Sequence, residues 1–273
     1  MDEITQGGAK LAGAEAASTF AGAAELSSMA ASAALAAPFT QAQAAQDRGT
    51  VIFDLDGTLI DTSRDMIGAA NLWFKAMGAP APLDPELDGP VGLIGGRVML
   101  RLGLRRLGRV LPQTGQPDER LIDRGYHEFA ALYAQNICVQ SKPYPGAVAA
   151  ITALRQAGYR TGICTNKPVA LSEMLLKQLG VWDLFDSHIG AGSLPQRKPD
   201  PEPLLAAIAQ AGGDPSRSVL IGDTDTDLNA ARAAGVKIAL VTFGPSGQAV
   251  DQMGADALLQ GYEALGDLVA QLF

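Results

Sequence analysis

From Thr50 onward, short apolar runs alternate with longer stretches in which apolar residues recur every three or four positions. The short runs are Thr50–Leu55, Tyr159–Thr165, Ser218–Gly222 and Lys237–Thr242, and the first three lead into polar turns. Between them lie the stripes Val148/Ile151/Leu154, then Leu171/Leu175/Leu179 closed by Gly180, then Leu204/Ile208. A short buried strand followed by an amphipathic helix, repeated, predicts an α/β fold, a doubly wound parallel sheet covered on both faces. Ligands in such sheets bind beyond the carboxyl ends of the strands. The polar clusters of this chain fall there: Asp54–Asp56, Thr165–Asn166 and Asp223–Asp227.

The alternation is interrupted between about Asp65 and Ser141, where the pattern is helical only. Met66/Ala70/Trp73/Met77 form one stripe, which Gly78 can stop, and Leu100/Leu104/Leu107 and Ile122/Tyr126/Phe129/Tyr133 form two more. The expected organisation is a catalytic core over 49–64 and 142–273, with a helical cap over 65–141 inserted directly after the first polar turn. Its aromatics read as core packing. Residues 1–48 stand apart: alanine-rich, without Val, Trp or Tyr. Such a segment buries too little to offset chain entropy and is expected to be a disordered or transiently helical tail. It does not read as a signal peptide, because no basic region precedes Met29–Ala37 and Glu15 and Glu25 lie upstream.

Composition narrows the partners. Apolar residues make up 47% of the chain and charged residues 18%, as in globular proteins. With 29 acidic and 21 basic residues the net charge is -8, which argues against nucleic acid or an anionic membrane as the main partner. No apolar run approaches the roughly 18 residues needed to span a bilayer. Cys138 and Cys164 are in no metal-binding spacing, so a reducing, cytoplasmic setting is expected. The pattern specifies no oligomeric state.

The chemistry concentrates in four places. Asp54-Leu55-Asp56-Gly57-Thr58-Leu59 follows a strand directly. A carboxylate that attacks phosphorus needs a cation to offset its repulsion from the phosphoryl oxygens and a nearby acid for the leaving oxygen. Aspartates at i and i+2 point the same way at a strand end and can flank one phosphoryl group. Gly57 lets the backbone approach the substrate. A calcium loop is the rival reading, opposed by the preceding strand and by the lack of a Glu twelve positions on. At the second place, Thr165 and Asn166 can each donate to a phosphoryl oxygen, although Thr there is also an ordinary helix cap. Third, Lys198, in Arg197-Lys198-Pro199-Asp200-Pro201, can neutralise developing charge, or else is a solvated loop lysine. Fourth, Gly222-Asp223-Thr224-Asp225-Thr226-Asp227 offers the one or two carboxylates that Mg2+ takes beside a substrate phosphate, with Asp225 as either ligand or helix cap.

In this order, each at a strand end, the four places resemble the motifs of the haloacid dehalogenase superfamily, from about Thr50 to the C-terminus. Pro143-Tyr144-Pro145-Gly146, Thr165-Asn166-Lys167-Pro168, Lys198–Leu204 and Thr242-Phe243-Gly244 are similar to its phosphoglycolate phosphatase group, which has an inserted helical cap on a Rossmann-like core. The resemblance implies an Mg2+-dependent phosphatase that converts a small phosphorylated metabolite, 2-phosphoglycolate before others, to the free alcohol through an aspartyl-phosphate. It implies Asp54 as nucleophile and Asp56 as general acid and base, with Thr165 and Lys198 holding the phosphoryl group. Mg2+ would rest on the Asp54 carboxylate, the Asp56 main-chain carbonyl and Asp223, and Asp227 would orient Lys198 or a water on the metal.

The glycine-rich stretch Val91–Arg97 looks like that group's substrate-reading loop, and Arg97 is expected to pair with a glycolate carboxylate or else to begin an exposed basic helix face with Arg101 and Arg105. His127 and His188 read as packing residues, and Cys164 as a buried inert thiol. Among rival activities, dehalogenation needs no second acid, and phosphonoacetaldehyde hydrolysis needs a cap lysine, for which Lys75 alone is available. A phosphosugar phosphatase or mutase shares all four motifs. A phospho-accepting receiver domain uses similar residues but is shorter and lacks the helical insert.

Overall fold

The computed structural model describes residues 48–273, so the alanine-rich segment, Arg48 excepted, lies outside the described residues. In chain order the elements are β1 (Thr50–Phe53), β2 (Ile60–Asp61), α1 (Ser63–Ala76), α2 (Gly89–Ile94), α3 (Gly96–Arg106), α4 (Glu119–Gln135) and β3 (Lys142–Pro143). There follow α5 (Ala147–Gln156), β4 (Arg160–Pro168), α6 (Val169–Gln178), β5 (Ser187–Ala191), α7 (Glu202–Gln210), β6 (Ser218–Gly222), α8 (Asp225–Ala234), β7 (Lys237–Val241), β8 (Ala257–Leu259) and α9 (Leu265–Leu272). Six strands form one sheet in the order β5-β4-β1-β6-β7-β8, with every neighbouring pair parallel.

The sheet is buried on both faces because its central strands are apolar at consecutive positions, and the two-residue period sorts them. Val51, Phe53, Val219, Ile221, Ala239 and Val241 pack on one side with Ile151, Leu154, Leu175 and Val269 from α5, α6 and α9. Ile52, Leu220, Ile238 and Leu240 face the other side, against Leu204, Ala207, Ile208 and Ala231 from α7 and α8. β1 lies at the centre, hydrogen-bonded to β4 and β6, so the residues that follow it emerge between two other strand ends.

The four helices α1–α4 leave and rejoin the core through the ribbon β2–β3, an antiparallel pair of two rungs, Ile60↔Pro143 and Asp61↔Lys142. Just beyond it, the Asp65 carboxylate accepts hydrogen bonds from the Gln140 and Ser141 amides and the Ser141 hydroxyl, at 2.7 to 3.0 Å. Within the helices, α1 sinks its largest side chains into its neighbours. A Cβ on Gly125 of α4 would lie 2.2 Å from the Trp73 ring, so only glycine permits this approach. The Trp73 indole then donates to Glu128 at 2.8 Å.

Several elements differ from the sequence reading. β4 does not end at Thr165 but continues to Pro168 through a register shift against β5, which keeps Asn166 and Lys167 in the strand. The stretch expected as a loop at Val91–Arg97 is two helices, α2 and α3, broken at Gly95 with φ 136°. Among the described residues no helix is long and apolar enough to cross a membrane.

Candidate active site

The ends of β1, β4 and β6, with the Lys198 loop, enclose a pocket of about 290 Å³, roofed by Leu93, Ile94, Gly95, Gly96, Tyr126, Phe129 and Tyr133. Asp54, Asp56, Thr165, Asn166, Lys198, Asp223 and Asp227 all border it. The structure therefore brings the sequence-derived candidates together, Arg97 and Gly57 excepted.

Asp54 is fixed first. Its amide continues the sheet by donating to the Ile221 carbonyl at 2.9 Å, which aims the side chain into the pocket. One carboxylate oxygen, Oδ1, lies 3.0 Å from the Lys198 ammonium but receives no well-directed hydrogen bond. Burial pushes the Asp54 carboxyl up to about 6, against the pull of Lys198. Lys198, 3% exposed, donates to Asp227 Oδ1 at 2.6 Å. Its burial disfavours charge, yet the carboxylates of Asp227 and Asp54 outweigh it and hold the ammonium above its ordinary value. The other Asp227 oxygen accepts from the Asp223 and Thr224 amides and the Thr224 hydroxyl, a capping box that starts α8. Asp227 is thus fully engaged in holding Lys198 and the helix.

Asp223 is held from the opposite side. Thr58 donates to its Oδ1 at 2.7 Å, and Tyr262 in turn donates to the Thr58 carbonyl at 2.8 Å. Its Oδ2 is buried without a hydrogen-bond partner. Burial first, then Asp227 and Asp54, raise its carboxyl well above the ordinary value. Gly57 stands behind this group, with φ 83°, and a Cβ there would lie 2.7 Å from Asp223 Oδ2. Here the glycine is required by the Asp223 carboxylate and the turn, and it does not border the pocket, whereas the sequence reading gave it to the approach of the substrate.

Asp56 has different neighbours. Thr62 donates to its Oδ1 at 2.6 Å, and the Lys167 ammonium lies 3.0 and 3.2 Å from its two oxygens. Lys167 also donates to the Tyr133 hydroxyl at 2.9 Å. None of Thr62, Lys167 or Tyr133 was singled out in the sequence. Lys167 stood within a recognised phrase, but its reach toward Asp56 depends on the extension of β4. Thr62 stands at the N-terminus of α1, but its hydroxyl caps nothing there.

Thr165 accepts from the Lys167 amide at 3.1 Å, leaving its hydroxyl proton for a ligand. The Asn166 amide donates to the Lys198 carbonyl at 2.9 Å, so it ties two motif loops together. Arg97 does not border the pocket: it pairs with Asp123 and lies over the Tyr126 ring at 5.0 Å, on the outer face of α3 and α4. The Cys164 thiol is pushed up to about 12 by burial, which makes it a poor nucleophile.

Carboxylate oxygens of Asp54, Asp223 and Asp227 lie within 4.8 Å of one another; Asp54 Oδ1 is buried with only the Lys198 ammonium at 3.0 Å, and Asp223 Oδ2 is buried with no hydrogen-bond partner. Five aspartates against two lysines border the pocket. Buried carboxylates without donors are unfavourable unless a cation joins them. A hard divalent cation fits this donor set.

The model of the haloacid dehalogenase-like hydrolases matches residues 49–235. The chain belongs to that family. It is accordingly an enzyme and a hydrolase. A phosphoglycolate phosphatase of Caulobacter vibrioides is 37% identical to this haloacid dehalogenase-like hydrolase, over 78% of this chain and 87% of its own. One of Mesorhizobium japonicum is 37% identical over 80% and 93%. Among solved structures, a protein of Lactobacillus delbrueckii subsp. bulgaricus shares the fold with TM-score 0.68 and 24% identity, over 82% of this chain and 99% of that one. CbbY of Rhodobacter sphaeroides, in complex with phosphate, shares it with TM-score 0.63 and 24% identity, over 80% and 96%.

Proposed function

We propose that this hydrolase is an Mg2+-dependent phosphatase for a small phosphate monoester, 2-phosphoglycolate before others, working in the cytoplasm. The observation that carries the reading is the division of labour between the two aspartates after β1. Asp54 faces Lys198 and the unpartnered Asp223 oxygen, where a phosphoryl group and its cation belong. Asp56, held by Thr62 and Lys167, faces the roofed side, where the leaving group belongs. The pocket lies at the small end of the usual range for ligand sites, about 300–1,000 Å³, which suits a compact ester. The curated relatives named above support phosphoglycolate.

In this mechanism an Asp54 oxygen attacks phosphorus while the bond to the leaving oxygen breaks, and Asp56 gives that oxygen its proton. The product alcohol leaves, and the phosphoryl group remains on Asp54 as an aspartyl-phosphate. Asp56, now a base, takes a proton from a water that attacks phosphorus and frees Asp54 and inorganic phosphate. Lys198 and the Thr165 hydroxyl hold the phosphoryl oxygens throughout. The Asp54 and Asp223 carboxylates and the Asp56 main-chain carbonyl would hold Mg2+, which would supply neutralisation of phosphoryl charge. The helices α1–α4 act as a cap that excludes water and shapes the leaving-group side. Two free cysteines, Cys138 and Cys164, suit a reducing cytoplasm.

The test is turnover of the purified protein on a panel of small phosphate esters with Mg2+. The highest kcat/KM is expected for 2-phosphoglycolate; a sugar phosphate ahead of it by tenfold would replace the substrate assignment.

A further inference from the structure

Resting on that reading, the leaving group carries a charge of its own, and something in the pocket must receive it. Among the described residues only two basic side chains border the pocket, Lys198 and Lys167. Lys198 is committed to the phosphoryl side through Asp54 and Asp227. Arg97, the sequence candidate for a carboxylate partner, is bound elsewhere by Asp123.

Lys167 stands on the opposite side of Asp56. It is 6% exposed, with its ammonium beside the Asp56 carboxylate and 4.4 Å from the centre of the Tyr133 ring. The leaving oxygen must lie within hydrogen-bond distance of an Asp56 oxygen to receive its proton, and both of those oxygens lie 3.0 to 3.2 Å from Lys167 Nζ. In phosphoglycolate the carboxyl carbon is only two bonds beyond that leaving oxygen, which brings its charge into the same small volume. Tyr133 supplies a second, independent sign. Its hydroxyl is buried and accepts from Lys167, so its own proton points elsewhere, and it meets no acceptor among the described residues. Burial holds that phenol up at about 12, so it remains a donor at any working pH. A buried cation beside a buried, unspent O–H donor forms a receptor for an anion. The side chains of Met66, Leu93, Phe129 and Leu171 around it are apolar and offer nothing to a charge.

We propose that Lys167, together with the Tyr133 hydroxyl, recognises the negative charge of the leaving group and is the specificity-determining residue of this enzyme for anionic esters. It binds substrate directly and also carries Asp56, so loss of the lysine lowers turnover of every ester; the discriminating quantity is the preference between matched substrates.

The experiment compares 2-phosphoglycolate with its neutral carboxamide, 2-phosphoglycolamide, on wild type, Lys167→Met, Tyr133→Phe and Arg97→Ala. Damage to Asp56 affects both substrates alike and cancels in the ratio. Lys167→Met is expected to reduce the acid-over-amide ratio of kcat/KM by roughly 10- to 150-fold, the range for one charge-assisted contact. Tyr133→Phe, which keeps the lysine, should reduce it by about 2- to 10-fold. Arg97→Ala should leave it within about twofold, as for a surface ion pair. An unchanged ratio in Lys167→Met overturns the assignment, because the lysine then serves Asp56 alone. Should that variant fail to fold, an unchanged ratio in Tyr133→Phe overturns it instead. A wild type that hydrolyses other esters but does not prefer the acid to the amide overturns the substrate reading itself, a result distinct from a retained preference in the variants.

Discussion

Asp54 and Asp56 stand two positions apart, yet the groups around them are not interchangeable. Asp54 looks toward Lys198 and an unpartnered oxygen of Asp223, while Asp56 is tied by Thr62 and Lys167. Two isosteric substitutions should therefore give unequal losses. Asp54→Asn removes the attacking atom and should abolish turnover while circular dichroism and Tm show a folded protein. Asp56→Asn removes a proton donor and should lower kcat by about two to four decades. Full activity of Asp54→Asn would end the proposed mechanism. The carboxylates were readable from the sequence because their motif follows a strand that ends where ligands bind. Their supports were not: Thr62 bonds Asp56 within the turn that leads into α1, Lys167 reaches it only because β4 extends past Thr165, and Tyr133 of α4 is bonded to Lys167. Arg97 illustrates the converse. Its sequence position beside two glycines suggested the pocket, but α3 begins at Gly96 and turns the guanidinium outward to Asp123.

At the scale of elements, strands and helices with strong periodicity were legible: β1, β6 and β7, and the stripes of α1, α4, α5 and α6 all lie where their apolar spacing placed them. β5, β8 and the ribbon β2–β3 were not: β2, β3 and β8 have only two or three residues, and β5, Ser-His-Ile-Gly-Ala, lacks the continuous apolar run of a central strand. Packing between helices was equally hidden, as Gly125 shows. Within the sequence it reads as a weak point in a helix, whereas in the fold its missing Cβ admits Trp73. Gly125→Ala should therefore destabilise the protein despite the better helix propensity of alanine. Propensity would gain about 1 kcal/mol. Forcing the added methyl past a ring 2.2 Å away should cost about 1–3 kcal/mol from overpacking. The net expectation is a Tm lower by roughly 2–6 °C by calorimetry; a raised Tm would show that α1 and α4 part without cost.

At the scale of the whole molecule, a chain of net charge -8 that is to bind an anionic phosphate ester needs local reversal of the field. The two lysines of the pocket do not balance its five aspartates, and the proposed Mg2+ would supply the missing positive charge. Chelation should stop hydrolysis, and Mg2+ should restore it better than Ca2+, which favours more ligands and looser geometry. Protons compete for the same oxygens. Because Asp54 is pushed up to about 6 and Asp223 is raised as well, lowering the pH through 6 protonates groups that must be ionised to hold a cation. The apparent Mg2+ affinity should thus weaken as the pH falls below about 6, approaching roughly tenfold per pH unit for each competing proton, as titrations of activity or calorimetry would show. Affinity that stays level down to pH 5 would contradict a site built on these carboxylates.

The ribbon β2–β3 sends the chain out and takes it back on facing rungs, Ile60 opposite Pro143 and Asp61 opposite Lys142. Segments whose two ends leave a scaffold side by side can be exchanged or lengthened without asking the scaffold to move. Here the groups that handle phosphorus lie on the sheet side of that junction, whereas Tyr126, Phe129 and Tyr133 lie beyond it. The aromatic roof and the Tyr133 hydroxyl thereby sit on a detachable cassette, and a new one spliced in at two adjacent seams would recast the leaving-group side while Lys167 and the phosphorus chemistry stay as they were.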